Sequence, residues 1–169
     1  MWARDAGAAA GDARAVHNAG SMKAATLEIE IARPQGAVHA VLEDVTTYEG
    51  YLDHFLSDWR RITRTRSGVG AAVRVRVKGV RRHDKMVVRV IKSSPRKVVQ
   101  ESKGGKDYRQ RVRGTYELKE RRNGSTRVRY TLEFLEGSLG DRLLWPAGRR
   151  RLVRGARTGL ERLKEQLEA

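Results

Sequence analysis

The amino-acid sequence predicts an α+β domain, in which an antiparallel sheet of about seven strands is combined with two short helices after the first strand and one long helix at the C-terminal end. Two observations support this fold class. Between residues 59 and 135, hydrophobic residues occupy alternate positions in short segments separated by turn residues, which is typical of strands joined by hairpins. Between residues 153 and 167 they recur every three or four residues, which is the period of a helix.

The first strand is predicted over residues 26–31, where hydrophobic residues alternate with glutamates and Pro34 ends the segment. Helical spacing then predicts a helix over residues 36–45 and a shorter one over residues 48–56. Further strands are predicted over residues 59–66, 71–78, 85–92, 96–102, 109–119 and 126–135. Because the connections between these strands are too short for crossovers, we expect an antiparallel meander.

The last segment of the chain predicts one long helix. Its hydrophobic stripe consists of Val153, Ala156, Leu160, Leu163 and Leu167. Upstream of this stripe, Pro146 predicts either a kink or a fresh helix start, because proline has no backbone N–H to donate and its ring crowds the preceding turn.

The N-terminal residues differ from the rest of the chain. Residues 1–21 are rich in alanine and glycine and show no sustained hydrophobic period, so we predict a flexible leader over residues 1–23 and one folded domain over residues 24–169. Met22 is an alternative start. A secretory signal requires an uninterrupted hydrophobic segment, and charged residues interrupt every candidate here, so we expect a cytoplasmic location.

Composition excludes several classes of function. The chain contains no cysteine, which excludes a disulfide scaffold, a thiol nucleophile and every zinc site that uses cysteine. Its four histidines show no metal-binding spacing, and no phosphate-loop or hydrolase motif occurs, so we expect neither a metal nor a cofactor. No hydrophobic run approaches the roughly 20 residues of a membrane span.

The chain is strongly basic, with 36 Lys and Arg against 20 Asp and Glu and a formal net charge of +16. Residues 60–113 account for this surplus, because they hold 19 Lys and Arg and only three acidic residues. Arginine predominates, and its planar guanidinium forms two-point contacts with phosphate and carboxylate groups. Two explanations stay open: a polyanionic partner, or a GC-rich coding sequence that favours arginine codons.

The order of these elements, read with the residues, resembles the START-like superfamily, also called SRPBCC or helix-grip, which includes the polyketide cyclase/dehydrase and lipid transport proteins. The resemblance spans residues 26–168. It rests on the first strand LEIEIARP, the helical stretch AVHAVLEDVTTYEGYLDHF, the strand GVGAAVRVRV, the hairpin RGTYELKERRNGSTRVRYTLEF and the tail GSLGDRLLWPAGRRRLVRGARTGLERLKEQLE.

The resemblance implies a curved sheet wrapped around the long C-terminal helix, with the last strand beside the first and a mostly hydrophobic cavity between sheet and helix. Members of the superfamily bind lipids, quinones, polyketides or hormones, and a minority catalyse cyclisation, dehydration or hydrolysis. We therefore expect the binding, and possible transport, of a small hydrophobic or amphipathic ligand. An enzyme of the cyclase/dehydratase kind, acting in the same cavity, is the first alternative, because fold alone does not fix function.

Candidate ligand-binding residues face this implied cavity or its entrance, with Tyr48 and Tyr51 among those at the entrance. Tyrosine and tryptophan suit a wet rim, because each ring has one polar end. His54 is a candidate general base, and Tyr116 with Tyr130 is a candidate pair for polarising a carbonyl group. In each case the alternative is an ordinary structural role, such as cross-strand packing of the two tyrosines. The full set is Tyr48, Tyr51, His54, Trp59, Val75, Met86, Val88, Tyr116, Tyr130, Leu144 and Trp145.

A second alternative is a surface that binds a polyanion: RNA, a ribosome or an anionic membrane. Glutamates of neighbouring strands can pair with the arginines of the last two strands, whereas the cations of residues 71–78 are expected to have few acidic neighbours. Three arginines follow Leu143, Leu144 and Trp145, a combination suited to a membrane surface. The candidates are Arg74, Arg76, Lys78, Arg111, Arg113, Arg149, Arg150 and Arg151. We expect a monomer or a homodimer.

Overall fold

One antiparallel sheet and one long helix form most of the computed structural model, which describes residues 24–169. In chain order the elements are β1 (Ala25–Ile31), α1 (Gln35–Glu43), α2 (Tyr48–Leu52), β2 (Leu56–Arg61), β3 (Ala72–Val77), β4 (Lys85–Ser94), β5 (Lys97–Gly104), a 3₁₀ turn (Lys106–Tyr108), β6 (Gln110–Glu120), β7 (Thr126–Glu136) and α3 (Leu139–Glu168). The seven strands lie in the order β1-β7-β6-β5-β4-β3-β2, so β7 pairs with β1 and the other strands follow as hairpins.

Alternation gives the sheet one hydrophobic face and one charged face. On β3, Val73 and Val75 are buried, whereas Arg76 between Val75 and Val77 is exposed. Register shifts interrupt the pairing of β2 with β3, of β4 with β5 and of β6 with β7, and bulges of this kind bend strands. The sheet is therefore curved, and α3 lies against its hydrophobic face.

The core occupies one end of this hydrophobic face, where α1, α2 and the C-terminal half of α3 pack on the sheet. Val38 and Leu42 of α1 and Leu163 of α3 are fully buried there. The ammonium of Lys164 donates a hydrogen bond of 2.8 Å to the backbone carbonyl of Glu30, which fixes the end of α3 beside β1. The N-terminal half of α3 covers the other end of the sheet.

The long helix α3 continues through Pro146, so the fresh start predicted there is wrong. The helix begins instead at Leu139, after a capping box in which Ser138 Oγ accepts from the Asp141 backbone N–H at 3.1 Å. The Asp141 carboxylate in turn accepts from the Ser138 backbone N–H at 2.8 Å. This cap establishes two turns of helix before the proline, which removes one backbone hydrogen bond without ending the helix.

Two buried glycines bring α2 close to α3. A β-carbon on Gly159 would lie 2.8 Å from Cδ2 of Leu52, and one on Gly155 would lie 3.1 Å from Cδ2 of Phe55. The buried side of α3 therefore includes two residues with no side chain. Hydrophobic spacing does not identify such residues, and the predicted stripe omits both.

The structure confirms the predicted fold class and the position of the last strand beside the first. The boundaries differ most at β2, which begins at Leu56 rather than at residue 59 because Leu56 pairs with Val77 of β3. The predicted leader, residues 1–23, lies outside the described residues. Within the part of the chain that the structure describes, no helix combines the length and the hydropathy that crossing a bilayer requires.

Candidate ligand-binding site

A cavity of about 630 Å³ lies between the hydrophobic face of the sheet and α3. Strands β4, β5, β6 and β7 contribute its floor, α3 contributes its roof, and α2 with the segment after it closes one side. On α3, the small residues Gly148 and Ala156 line this space. The hydrophobic residues of the lining are Leu52, Phe55, Leu56, Val77, Val80, Met86, Val88, Val112, Leu132, Leu144, Leu152, Ala156 and Leu160.

Four tyrosines, which we call the tyrosine cluster (Tyr48, Tyr51, Tyr116 and Tyr130), pack together at the inner end of this cavity. The ring centroids of Tyr48 and Tyr51 are 5.8 Å apart, and those of Tyr116 and Tyr130 are 4.5 Å apart across the β6–β7 hairpin. Burial raises the pKa of all four phenols above the ordinary value. All four hydroxyls are therefore protonated at neutral pH and able to act as hydrogen-bond donors.

The hydroxyls of the cluster differ in their partners. Tyr48 donates to the backbone carbonyl of Leu42 at 2.9 Å and accepts from Nε2 of Gln100 at 2.6 Å. The Tyr51 hydroxyl and the Trp145 indole N–H are buried, and neither has a hydrogen-bond partner within residues 24–169. Both residues line the cavity. Because a buried donor left unpaired costs about 1–3 kcal/mol, these are two points at which a ligand oxygen gains a hydrogen bond.

The other end of the cavity, its mouth, is lined by five exposed basic side chains that we call the mouth cations (Arg82, Lys85, Lys106, Arg109 and Arg151). Arg82 and Lys85 belong to the β3–β4 turn and the start of β4, Lys106 and Arg109 to the β5–β6 turn, and Arg151 to α3. Segments distant in sequence therefore place positive charge around one opening.

The outer, charged face of the sheet carries cations in a different setting, because carboxylates pair with them. Glu101 of β5 is only 4% exposed and binds both Arg111, at 2.9 Å, and Arg113, at 3.6 Å. Glu28 of β1 likewise pairs with two arginines of β7. The predicted pairing of arginines on the last two strands is confirmed at Glu28. Glu101 supplies a second pairing site that the sequence analysis missed.

The expectation that β3 cations have few acidic neighbours is wrong for Arg76. Its guanidinium lies 3.6 Å from the carboxylate of Asp58 and 3.7 Å from that of Asp84. Asp58 lies beside β3 because it belongs to β2, the strand that pairs with β3. The sequence predicted that this strand begins only at residue 59. Arg74, by comparison, lies opposite Arg60 of β2 in the sheet.

The predicted ligand-binding residues fall into two groups. Four of them do not line the cavity: Tyr48 and Val75 are fully buried in the core, Trp59 packs against the core, and His54 Nε2 donates to the Gly155 carbonyl at 3.0 Å. His54 thereby fastens α2 to α3. The residues that do line the cavity are Tyr51, Met86, Val88, Tyr116, Tyr130, Leu144 and Trp145.

The sequence matches a known protein family. The sequence profile of the family described as "Polyketide cyclase / dehydrase and lipid transport" matches residues 22–168. No curated protein sequence matches the chain.

Solved structures share this fold at low sequence identity. An aromatase/cyclase from Streptomyces sp. R1128 is similar with a TM-score of 0.67 and 15% identity, over 86% of this chain and 93% of that one. A truncated norcoclaurine synthase from Thalictrum flavum has a TM-score of 0.66 and 12% identity, over 86% of this chain and 92% of that one. A protein from Thermus thermophilus has a TM-score of 0.64 and 16% identity, over 86% and 97%.

Proposed function

Because the chain belongs to the polyketide cyclase / dehydrase and lipid transport family, we propose that it binds, and carries, one small hydrophobic or amphipathic molecule between the sheet and α3. The cavity is the observation that supports this proposal most directly. Its volume of about 630 Å³ lies within the range of sites that hold one small ligand. A lipid, a quinone or a polyketide-like compound is the proposed ligand class.

The lining indicates how such a ligand is oriented. Side chains such as Met86, Val88 and Leu160 offer only hydrophobic contact, so they suit a carbon skeleton. The unpaired donors of Tyr51 and Trp145 suit one or two oxygen acceptors on that skeleton. A molecule that is mostly hydrocarbon with a few oxygens therefore matches the interior.

A cavity-filling variant tests the proposal. Ala156 of α3 lines the cavity, whereas Ala147 of the same helix is exposed and does not. We expect wild type and the control Ala147→Phe to bind the fluorescent hydrophobic probe N-phenyl-1-naphthylamine alike. In Ala156→Phe the new ring occupies the ligand space, and we expect a loss of affinity of about tenfold or more.

The thermal stability of the same variants shows whether a loss of probe binding comes from a filled cavity or from a destabilised fold. Where space exists, the added phenylalanine at Ala156 fills it and the melting temperature is maintained, whereas overpacking of a filled core would cost about 1–3 kcal/mol. Unchanged probe binding by Ala156→Phe, or no probe binding by wild type, would contradict the proposal.

A cyclase or dehydratase reaction in the same cavity is the second candidate. Tyr116 and Tyr130 favour it, because two adjacent protonated hydroxyls can polarise a ligand carbonyl. His54 gives it no support as a base, since its ring is held by the Gly155 carbonyl outside the lining. Incubation with a poly-β-carbonyl thioester, followed by mass spectrometry, tests for the loss of one water. Turnover in wild type and not in Tyr116→Phe would favour the enzyme.

A membrane surface is the proposed partner for ligand exchange. Leu139, Leu143 and Leu144 are 78%, 81% and 72% exposed on the first turns of α3, beside the mouth. Exposed hydrophobic side chains next to cations are typical of contact with anionic bilayers. We expect vesicles containing phosphatidylserine to bind the protein better than phosphatidylcholine vesicles, and Leu139→Ser/Leu143→Ser to abolish binding. Equal binding to both vesicles would contradict this partner.

RNA is the remaining candidate partner, bound through the outer face of the sheet. Arg74 and Lys78 are the residues proposed to contact it. A steep fall of RNA affinity with added salt would support it, and co-purification without nucleic acid would count against it. Our proposal also includes a cytoplasmic location and a monomeric or homodimeric state, which fractionation and light scattering would test.

A further inference from the structure

The mouth cations bear on the charge of the ligand. They come from the β3–β4 turn, the β5–β6 turn and α3, and these segments converge because alternate hairpins of a meander turn at the same end of the sheet. All five side chains are exposed and line the cavity. Positive charge around one concave opening concentrates the local field and attracts anions.

Among residues 24–169, no carboxylate of the lining is free to neutralise these cations. Asp141 is the one acidic residue of this part of the chain that lines the cavity, and its carboxylate already accepts the Ser138 hydroxyl and backbone N–H at 2.8 Å. Arg151 donates to the Lys78 carbonyl and lies 5.9 Å from the centroid of the Phe55 ring, which holds its guanidinium along the wall. The other four mouth cations form no ion pair with any described residue.

The arrangement of charge therefore changes along the cavity. The inner end offers the neutral hydroxyls of Tyr51, Tyr116 and Tyr130 among hydrophobic side chains, and the mouth offers ammonium and guanidinium groups. Charge-assisted hydrogen bonds from Lys and Arg to carboxylate or phosphate are stronger than neutral ones. A ligand with one hydrophobic part and one anionic end would match both halves at once.

We infer that the ligand is an acidic amphiphile whose carboxylate or phosphate is bound by the mouth cations while its hydrocarbon part occupies the cavity. This inference rests on the proposed function and specifies its substrate class. Carboxylate and phosphate share the relevant chemistry, since both present several oxygens to the forked guanidinium of Arg109 and to the ammonium of Lys85.

Ligands that differ only in the head group test this inference. Dodecanoic acid, dodecyl phosphate and dodecanol, each below its micelle concentration, compete with N-phenyl-1-naphthylamine at neutral pH, and inorganic phosphate alone forms a fourth arm. The proteins are wild type, Lys85→Gln/Arg109→Gln, and the control Arg64→Gln/Arg96→Gln. The control removes the same charge from exposed arginines in turns at the opposite end of the sheet.

In wild type and in the control, we expect both acidic ligands to bind about tenfold or more tightly than dodecanol, because the charge interaction at a protein surface adds to the hydrophobic contact. The Lys85→Gln/Arg109→Gln variant should bind dodecanol as wild type does and lose the preference for acids. The tighter of the two acids identifies the head group, and inorganic phosphate should displace no probe.

Two results would overturn the inference while leaving the proposed function intact. One is equal affinity of wild type for dodecanoic acid and dodecanol. The other is an acid preference that persists in Lys85→Gln/Arg109→Gln. Binding of neither the probe nor any of the ligands by wild type would overturn the proposed function itself, and this inference with it.

Discussion

The outer face of the sheet and the mouth of the cavity contain the same basic residue types in opposite electrostatic settings. On the outer face, Glu101 and Glu28 each bind two arginines, and two aspartates lie beside Arg76. At the mouth, five cations share a lining in which Asp141 is the single acidic residue among those the structure describes, and Asp141 is held in the cap of α3. An excess of basic residues therefore does not by itself locate a site. Our proposal rests on cations that lack carboxylate partners and also line one concave opening.

The largest expected effect on stability is that of a substitution at Glu101, on the outer face of the sheet. Its carboxylate is almost fully buried between Arg111 and Arg113, so Glu101→Gln leaves two cations without their shared partner. We expect the free energy of unfolding to fall by about 2–3 kcal/mol, in line with a lost hydrogen bond to a charged group. Urea denaturation would measure it. A variant as stable as wild type would show that the pairing contributes nothing.

The buried tyrosine cluster, which lies between these two surfaces, makes the stability of the fold sensitive to alkaline pH. Because burial raises the pKa of the tyrosine cluster, the folded chain retains phenol protons that the unfolded chain releases above about pH 10. The contribution to stability is therefore complete below pH 10 and is lost as pH rises further.

The slope that each buried tyrosine contributes to the free energy of unfolding is at most about 1.4 kcal/mol per pH unit. Comparing Tyr116→Phe with wild type separates the contribution of this tyrosine to the pH dependence of stability from that of the lysines, which titrate in the same pH range. We expect a shallower decline in the variant above pH 10. Parallel curves for the two proteins would contradict the burial of this hydroxyl.

Loss of charge at the mouth has a smaller expected effect on stability. Lys85 and Arg109 make no ion pair within residues 24–169, so Lys85→Gln/Arg109→Gln should change the free energy of unfolding by no more than about 0.5 kcal/mol. Urea denaturation beside Glu101→Gln provides a direct contrast. Destabilisation comparable to that of Glu101→Gln would mean that the mouth cations have a structural role.

The smallest expected effect is at Glu28, which is exposed to solvent. Hydrogen bonds from Arg127, and then from Arg129, hold the pKa of this carboxyl below its ordinary value. Its contribution is therefore present above the ordinary glutamate pKa of about 4.3 and is lost as pH falls through the lowered folded-state pKa. We expect Glu28→Gln and wild type to differ slightly in urea midpoint at neutral pH and to converge in acid. A difference that grows in acid would contradict this.

Periodicity was sufficient to predict most of the sheet, because β3, β6 and β7 alternate hydrophobic and polar residues over most of their length. In β5 residues 98–101 are all buried, so the flanking turn residues rather than alternation predicted that strand. Periodicity was not sufficient for the approach of α2 to α3, which depends on Gly155 and Gly159. A glycine adds nothing to a hydrophobic pattern, and what it permits depends on which side chain lies opposite. Pro146 predicted either a kink or a fresh helix start, whereas the helix capped at Ser138 continues through the proline.

The candidate site could be predicted only where it lies on strands. Met86, Val88, Tyr116 and Tyr130 were identified because a strand fixes which side chains face inward. Of the mouth cations, Arg151 was a candidate, as a polyanion-binding residue, and the other four were not. Those four lie in or beside turns, where no period relates one side chain to the next. The position of these turns relative to α3 depends on the folded sheet and cannot be deduced from the spacing of residues in the sequence. Glu101 was missed as a partner because it lies opposite Arg113 of β6, and the sequence alone did not fix the register of β5 with β6.

Photo-crosslinking with a long-chain carboxylic acid that carries a diazirine at the end of its chain tests the central claim, ligand binding between sheet and helix, most directly. Peptide mapping by mass spectrometry reads out where the chain lies. We predict labels on Met86, Val88, Tyr116 and Leu160, which line the cavity. Labels confined to the exposed Leu139 and Leu143, or to the outer face of the sheet, would contradict binding between the sheet and α3.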